Sequence, residues 1–188
     1  MIEIRGKKAT NIQSTLFFIF MDTKELLKCV KYYSFINSDD GWDEIDNLDF
    51  FIKYPDFFSA TISSLRHQII IDVAKLFDDD NSTVNIIKLF NQCEQSKRIG
   101  LKQLVYKYKK DYVGYKDEIS DFIKIARDKI YAHTDFSFNA NKIDKYSEYM
   151  LEDDMLTNIE KFLNWVLNIC IELSKEYDGN IMNLRLTK

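Results

Sequence analysis

The sequence predicts an all-α protein, a helical bundle of about five to seven helices. Only five Gly and one Pro occur among 188 residues, too few for the many tight turns of a β-sandwich or barrel. Apolar residues recur at spacings of three and four along several long segments, which is the period of a helix that buries one face. The composition, 46% hydrophobic and 14% aromatic, suffices for one core. Because no repeat or linker composition divides the sequence, we expect a single domain over residues 1–188.

Three long amphipathic segments predict the main helices. Residues 15–36 form the first and end at the polar, Gly-containing segment 37–41, which is typical of a loop. The second begins at Pro55, because the fixed φ of proline suits the first turn of a helix, and runs to about Phe77. Residues 156–177 form the last helix, with apolar side chains along one face.

Shorter segments predict the remaining helices. Residues 84–92 read as a short helix that the polar loop 78–83 caps. A basic, Tyr-rich helix follows at 99–113, and another at 117–133. Residues 145–153 favour one more short helix.

Cysteine and histidine usage excludes several classes of protein. The three cysteines, Cys29, Cys93 and Cys170, are odd in number and widely spaced, so we expect reduced, mostly buried thiols, with neither a disulfide framework nor a zinc site. The two histidines, His67 and His133, lack metal-ligand spacing around them. We therefore expect no metal and no other cofactor.

The N-terminal region contains an apolar run at residues 16–21. The run is too short to span a bilayer, and no small-residue cleavage site follows it. We expect a cytoplasmic protein with no membrane partner.

Charge is unevenly distributed along the chain. The total of 26 basic and 30 acidic residues gives a net charge of −4. Residues 97–131 nevertheless hold ten basic and five acidic side chains, a local excess of +5. This segment can attract a polyanion such as RNA, or it can be one solvated helix face.

The helix at 117–133 contains the residues best suited to chemistry. Its apolar stripe includes Ala126, and His133 falls about 20° from Ala126 around the axis. Arg127 lies about 120° from His133 and about 9 Å along the axis, so both can border one phosphate-sized ligand. Histidine transfers protons near neutral pH, arginine binds phosphate oxygens, and Asp128 can orient either of them.

A purely structural interpretation of these residues also stands. His133 can be a helix-end histidine, while Arg127 pairs on the surface with Asp128 or Glu118. Possible RNA contacts beyond the motif are Lys129, Tyr131 and Arg66. Arg66 and Asp72 can support a cleft or pair internally, His67 reads as structural or exposed, and Tyr106, Tyr108, Tyr112 and Tyr115 suit either base stacking or packing.

Two segments resemble the abortive-infection AbiU-like branch of the HEPN superfamily. The run Ala126-Arg127-Asp128-Lys129-Ile130-Tyr131-Ala132-His133-Thr134-Asp135 is similar to the R-[ND]-K-x-x-A-H-x-D form of that branch. Upstream, Ser64-Leu65-Arg66 and Ala74-Lys75-Leu76-Phe77-Asp78 resemble its Ser-Leu-Arg and Ala-x-Leu-Phe-Asp segments in the same order. The resemblance covers roughly residues 55–135.

This resemblance implies a function and an assembly. It implies a HEPN-like bundle that forms a homodimer, in which the two motif helices face each other and two Arg/His sets line one cleft. It also implies a metal-independent endoribonuclease of a toxin-antitoxin or phage-defence system, acting on RNA that we expect to be single-stranded, with Arg127 and His133 catalytic and an antitoxin protein as a further partner.

Two alternatives remain at this point. The chain can be a non-catalytic HEPN module that binds nucleotide or RNA, or that partners an antitoxin or a nucleotidyltransferase. It can also be a helical scaffold without a ligand, which would suit its negative net charge.

Overall fold

The computed structural model describes residues 3–4, 7–8, 10–38, 52–80, 82–132 and 151–178. Within these ranges the chain is almost entirely helical, which confirms the all-α class; a two-residue antiparallel pairing of Glu3–Ile4 with Lys7–Lys8 is the exception. The helices are α1 (Asn11–Asn37), α2 (Pro55–Leu76), α3 (Ile86–Gln95), α4 (Ile99–Tyr115), a π-helical turn (Lys116–Ser120), α5 (Asp121–Ala132) and α6 (Asp153–Asp178).

Helix α1 begins earlier than predicted, at Asn11 and not at residue 15. A capping box starts it: the Thr10 hydroxyl accepts the Gln13 amide at 3.3 Å, and the Gln13 Oε1 accepts the Thr10 amide at 2.9 Å. These contacts satisfy amides that the first turn of a helix leaves unpaired. Leu16 and Ile19, from the apolar run near the N-terminus, are fully buried in the core.

The cap of helix α3 differs from the prediction. The loop 78–83 does not cap it; Asn85 does, because its Oδ1 accepts the Lys88 amide at 2.7 Å. The Asn85 Nδ2 also donates to the Asp80 carbonyl at 2.8 Å, which ties the loop to the helix. The helix runs on to Gln95, past the predicted end at residue 92.

The prediction of one regular α-helix over residues 117–133 is wrong at its start. Lys116–Ser120 form a π-turn, and α5 begins only at Asp121. A π-turn inserts an extra residue into the α-helical repeat. With this insertion, Ile119, Ile123 and Ala126 are all fully buried.

The region before α6 also departs from the prediction. The helix predicted at residues 145–153 does not extend to its predicted end, because Leu151 and Glu152 are not helical. Residues 145–150 lie outside the described residues. Helix α6 itself starts at Asp153 and ends at Asp178, three residues and one residue beyond the predicted limits at 156 and 177.

Six α-helices of the described part of the chain pack around one core. Helix α1 lies along both α2 and α6, α3 contacts α1 and α4, and α5 packs on α2. The Tyr177 hydroxyl reaches Thr10 Oγ1 at 3.0 Å, so α6 ends beside the start of α1. Helix α4 starts at that same end, where Arg98 Nη1 donates to the Glu176 carbonyl at 3.1 Å. None of the helices within the described ranges is long and apolar enough to cross a membrane.

An aromatic cluster forms the centre of the core. The Phe77 ring, at the end of α2, stacks on Phe162 of α6 with centroids 4.4 Å apart. Tyr112 of α4 lies 5.8 Å from Phe77 and 6.4 Å from Trp165. The cluster therefore holds α2, α4 and α6 together, and such aromatic pairs add stability beyond their buried area.

Truncating this cluster should destabilise the protein strongly. We expect Phe162→Ala to lower the free energy of unfolding by about 3–5 kcal/mol, because the cavity it leaves cannot close. Phe57→Ala is the matched control: Phe57 is 60% exposed, so its loss should cost less than about 0.5 kcal/mol. Denaturant unfolding followed by circular dichroism measures both; equal effects would contradict the assignment of the core.

Candidate functional site

Helix α5 contains Arg127, the arginine of the predicted site. Ile123 and Ala126 anchor its inner face in the core, and the helix packs against α2. Arg127 follows Ala126 and lies at the edge of this packed face, with its side chain 39% exposed. The helical periodicity of the sequence predicts such an edge position for Arg127.

Arg127 and Asp128 form an ion pair. The Arg127 Nε donates to Asp128 Oδ1 at 2.9 Å, and the Asp128 side chain is 64% exposed. This pair is one of the two that the structural interpretation allowed, with Asp128 or with Glu118, and it is also compatible with Asp128 orienting the arginine. Because Asp128 takes the Nε position, the two terminal Nη groups of Arg127 have no acceptor within the described part of the chain. They form the fork that binds phosphate oxygens in bidentate fashion.

A second arginine lies on the neighbouring helix. Arg66, in the Ser-Leu-Arg segment of α2, has a partly buried side chain whose Nε is inaccessible and without a hydrogen-bond partner among the described residues. Burial raises the pKa of the Tyr33 hydroxyl on α1, and the positive charge of Arg66 opposes that rise. Arg66 is thus a cation without a carboxylate among those residues, on the helix that contacts α5.

Asp72 and His67 are two further polar residues of α2. Asp72 accepts from Lys75 at 2.7 Å and from Gln68, so it pairs within its own helix, which is one of the two alternatives that the sequence left open. His67 is partly buried, in keeping with a structural histidine. Burial lowers the pKa of His67, and the adjacent Arg66 lowers it further.

Three predicted site residues, Lys129, Tyr131 and His133, have no described side chain. His133 lies outside the described residues, as do residues 134–150. Lys129 and Tyr131 belong to α5 by their backbone, and their side chains are not described. The structure therefore brings together the helices of Arg66 and Arg127, while the position of the histidine stays a prediction.

The structure distinguishes the roles of the four tyrosines for which the sequence allowed either base stacking or packing. Tyr108 and Tyr112 are buried, Tyr115 is partly buried, and all three rings contact Trp165. Tyr106 is the one of the four that faces solvent, with 85% of its surface exposed. Packing thus explains three of the four tyrosines, and Tyr106 has a ring available for a partner.

The sequence analysis did not predict a cavity at the end of the bundle where α1 begins and α6 ends. About 360 Å³ in volume, it is lined by residues that include Asn11, Gln92, Lys97 and Tyr177. Arg98 lies over the Tyr177 ring at 4.4 Å from its centroid. No sequence signal marks this cavity, because its lining comes from helices that are far apart along the chain.

The cysteines behave as predicted. All three are free thiols; Cys93 and Cys170 are buried and Cys29 is partly buried. Burial raises the pKa of Cys93 to about 12 and also raises that of Cys170, so both thiols are poor nucleophiles at neutral pH. Within the described ranges, no three His, Cys, Asp or Glu side chains are grouped so that they can hold a metal ion.

The fold and the arginine-bearing helix define a HEPN-type helical module. The sequence profile of the HEPN AbiU2 family matches residues 51–182, more than two thirds of the chain. The protein belongs to this AbiU2 family, and so to an abortive-infection branch of the HEPN superfamily. No curated protein and no solved structure matches the chain.

The lowered pKa of His67 makes stability depend on pH. An unfolded histidine takes up its proton near pH 6.5, whereas His67 in the folded protein resists protonation until lower pH. Below about pH 6.5 the unfolded state therefore binds more protons, and the free energy of unfolding falls as pH falls. We expect wild type to lose stability more steeply than His67→Gln between about pH 7.5 and pH 5 in denaturant titrations; parallel curves would contradict this.

Proposed function

We propose that this protein is a metal-independent endoribonuclease that cleaves RNA at a site formed by Arg127 and His133, with Asp128 as an orienting residue. The chain's membership of the AbiU2 family supports a HEPN-type module in abortive infection. The observation that carries the proposal is the state of Arg127: Asp128 fixes its Nε, and its Nη fork points to no partner among the described residues. A fixed, partly exposed arginine is a ready phosphate ligand.

The chemistry uses groups that RNA itself supplies. The ribose 2′-oxygen attacks the adjacent phosphorus, the bond from phosphorus to the 5′-oxygen breaks, and a 2′,3′-cyclic phosphate and a 5′-hydroxyl result. His133 transfers the proton that the 2′-hydroxyl loses or that the 5′-oxygen gains. Arg127 stabilises the negative charge that develops on the phosphoryl oxygens.

The proposed assembly is a homodimer in the cytoplasm. Two copies of α5 face each other, so that two Arg127/His133 sets line one cleft that receives single-stranded RNA. Lys129, Tyr131 and Arg66 contact the RNA beyond the scissile phosphate. In a toxin-antitoxin or phage-defence setting, an antitoxin protein restrains the activity until infection.

Cleavage assays with site variants test this proposal. We expect purified protein to cut single-stranded RNA, but not matched DNA, in the presence of chelator. Arg127→Ala and His133→Ala should each lower the cleavage rate at least about 100-fold, because each removes a group that acts in the transition state. Arg98→Ala is the matched control: it removes an arginine about 40 Å away along the helix. Cleavage that survives in both site variants would refute the assignment.

The same assay separates the two HEPN interpretations. If the wild type never cleaves RNA, and Arg127→Ala and His133→Ala bind RNA as tightly as the wild type does, the protein is a non-catalytic binding module. The product ends add a further check, because a 3′-hydroxyl end would exclude attack by the 2′-oxygen.

Arg66 should contribute to RNA affinity. We expect Arg66→Ala to raise the Kd for RNA about tenfold and to reduce the slope of log K against log salt by about 1, since one phosphate contact is lost. Arg66→Lys keeps the charge and should recover most of the salt slope. A fall in Tm without any change in Kd would instead assign Arg66 a structural role.

A further inference from the structure

The cavity at the end of the bundle, where α1 begins and α6 ends, is positively charged. We call it the end cavity; it lies between the first turn of α1, the last turn of α3, the loop before α4 and the last turn of α6. Lys97 and Arg98 line it, and none of the carboxylates in the described part of the chain does. A charge of +2 is therefore concentrated in one cavity of a chain whose net charge is −4.

Arg98 is held in place at the wall of the end cavity. Its guanidinium lies over the Tyr177 ring, and its Nη1 donates to the Glu176 carbonyl at 3.1 Å. The Tyr177 hydroxyl donates in turn to Thr10 Oγ1 at 3.0 Å. None of these contacts neutralises the charge of Arg98, which has no ion pair with a described residue. A guanidinium that is already fixed loses little further side-chain freedom when it binds an anion.

Lys97 is a second cation without a counter-ion. It is exposed, and it makes no ion pair with another residue in the described ranges. Two carboxylates of this region have other contacts. Glu94, three residues before Lys97, pairs with Lys109 at 2.7 Å. The Glu176 carboxylate lies against Gly100 in the first turn of α4, where an added Cβ would overlap it. Both lining cations therefore remain available to an anion.

The start of α1 adds to the positive field in the end cavity. Asn11 and Ile12 line the cavity and begin α1, whose first turn contains no acidic residue. The first turn of a helix has a partial positive charge, because its amides lack partners within the helix. The capping box pairs the amides of Thr10 and Gln13. The amides of Asn11 and Ile12 have no acceptor among the described residues.

Uncharged hydrogen-bonding groups form much of the remaining lining. The side-chain amides of Asn11, Gln92 and Gln95 each offer an acceptor oxygen and a donor nitrogen, and Ser96 adds a hydroxyl. The Gln92 Oε1 has no hydrogen-bond partner among the described residues. A ligand with several hydroxyl groups can donate to such oxygens and accept from such nitrogens, whereas an apolar ligand would leave them unpaired. The lining thus favours a polar ligand body beside the anionic group.

We propose that the end cavity binds a small phosphorylated polyol, such as a sugar monophosphate, with the phosphate on Lys97 and Arg98 and the hydroxyl groups on the amide side chains. A phosphate monoester has a charge of about −1.5 to −2 at pH 7, which matches the two cations, whereas a carboxylate would balance only one. The volume of about 360 Å³ suits a small ligand. The site is separate from the proposed cleavage site, because Arg98 and Arg127 lie about 40 Å apart along the helix.

Calorimetry with a defined probe tests this proposal. We expect ribose 5-phosphate to bind the full chain with a Kd below about 1 mM, as suits a ligand of its size. Ribose, which lacks the phosphate, should show no measurable binding. Inorganic phosphate, which lacks the hydroxyl groups, should bind at least about fivefold more weakly than ribose 5-phosphate. Raising NaCl from about 50 mM to about 300 mM should weaken binding, because salt screens the two cations.

Three variants separate binding from folding. Lys97→Ala removes a side chain without an ion pair, so it should leave the Tm unchanged and raise the Kd for ribose 5-phosphate at least about tenfold. Arg98→Lys keeps the charge but removes the planar fork, and it should raise the Kd by a smaller factor. Lys102→Ala is the matched control, because Lys102 is an exposed lysine of α4 that does not line the end cavity; it should bind as wild type does.

Three outcomes would overturn the proposal: ribose 5-phosphate that binds no better than ribose, a Kd that Lys97→Ala leaves unchanged, and a loss of affinity in Lys102→Ala as large as in Lys97→Ala. The last would show that the probe responds to the general charge of this region. Single-stranded RNA whose affinity depends on Lys97, in a protein that does not bind ribose 5-phosphate, would assign the cations to RNA and would also refute a small-molecule site.

Discussion

The stack of Phe77 on Phe162 joins the end of α2 to the middle of α6, and the rest of the bundle is arranged around it. Tyr112 and Trp165 extend the stack to α4, so three helices meet at one rigid contact. Close packing of this kind fixes both the rotation and the height of each helix, because large flat rings fit in few orientations. The π-turn and α5 continue directly from α4, so their positions depend on this contact as well.

The π-turn lies just past the aromatic contact and determines which residues α5 exposes. It inserts one residue into the α-helical repeat, which rotates the residues after it by about 100° relative to α4. Arg127 lies at the edge of the packed face, and Ile125 is exposed. One local irregularity thus affects which face α5 offers for the proposed catalytic site, a common role for π-turns at functional sites.

The two arginines illustrate how the bundle keeps positive charge available. Exposed cations can pair with a nearby carboxylate, as Lys75 does with Asp72. Arg66 has no such partner among the described residues. Arg127 pairs with Asp128 through its Nε alone, so its two Nη groups have no partner among those residues. A desolvated cation without a counter-ion is costly, and an anionic ligand would offset that cost. Arg66, whose Nε is buried and unpaired among those residues, and the terminal Nη groups of Arg127 suit the binding of an anion even in a chain whose net charge is −4.

Local sequence signals determined much of the fold. The helical class followed from periodicity and from the scarcity of Gly and Pro, and the start of α2 at Pro55 followed from backbone stereochemistry alone. The motif around Arg127 was likewise visible as a string, within the region that matches a known family. These properties depend on residues close together in the chain, so a single sequence contains them.

Tertiary structure alone decided the rest. Tyr106 and Tyr108 are both tyrosines in one basic helix, and only the position of α6 and Trp165 makes one exposed and the other buried. The π-turn at Lys116–Ser120 leaves no mark in the sequence, because the buried residues around it keep the spacing of a regular α-helix. The unpaired state of Arg66 depends on which carboxylates distant segments bring near it. Each of these properties depends on neighbours that are remote in sequence, so the spacing of residues along the chain does not predict it.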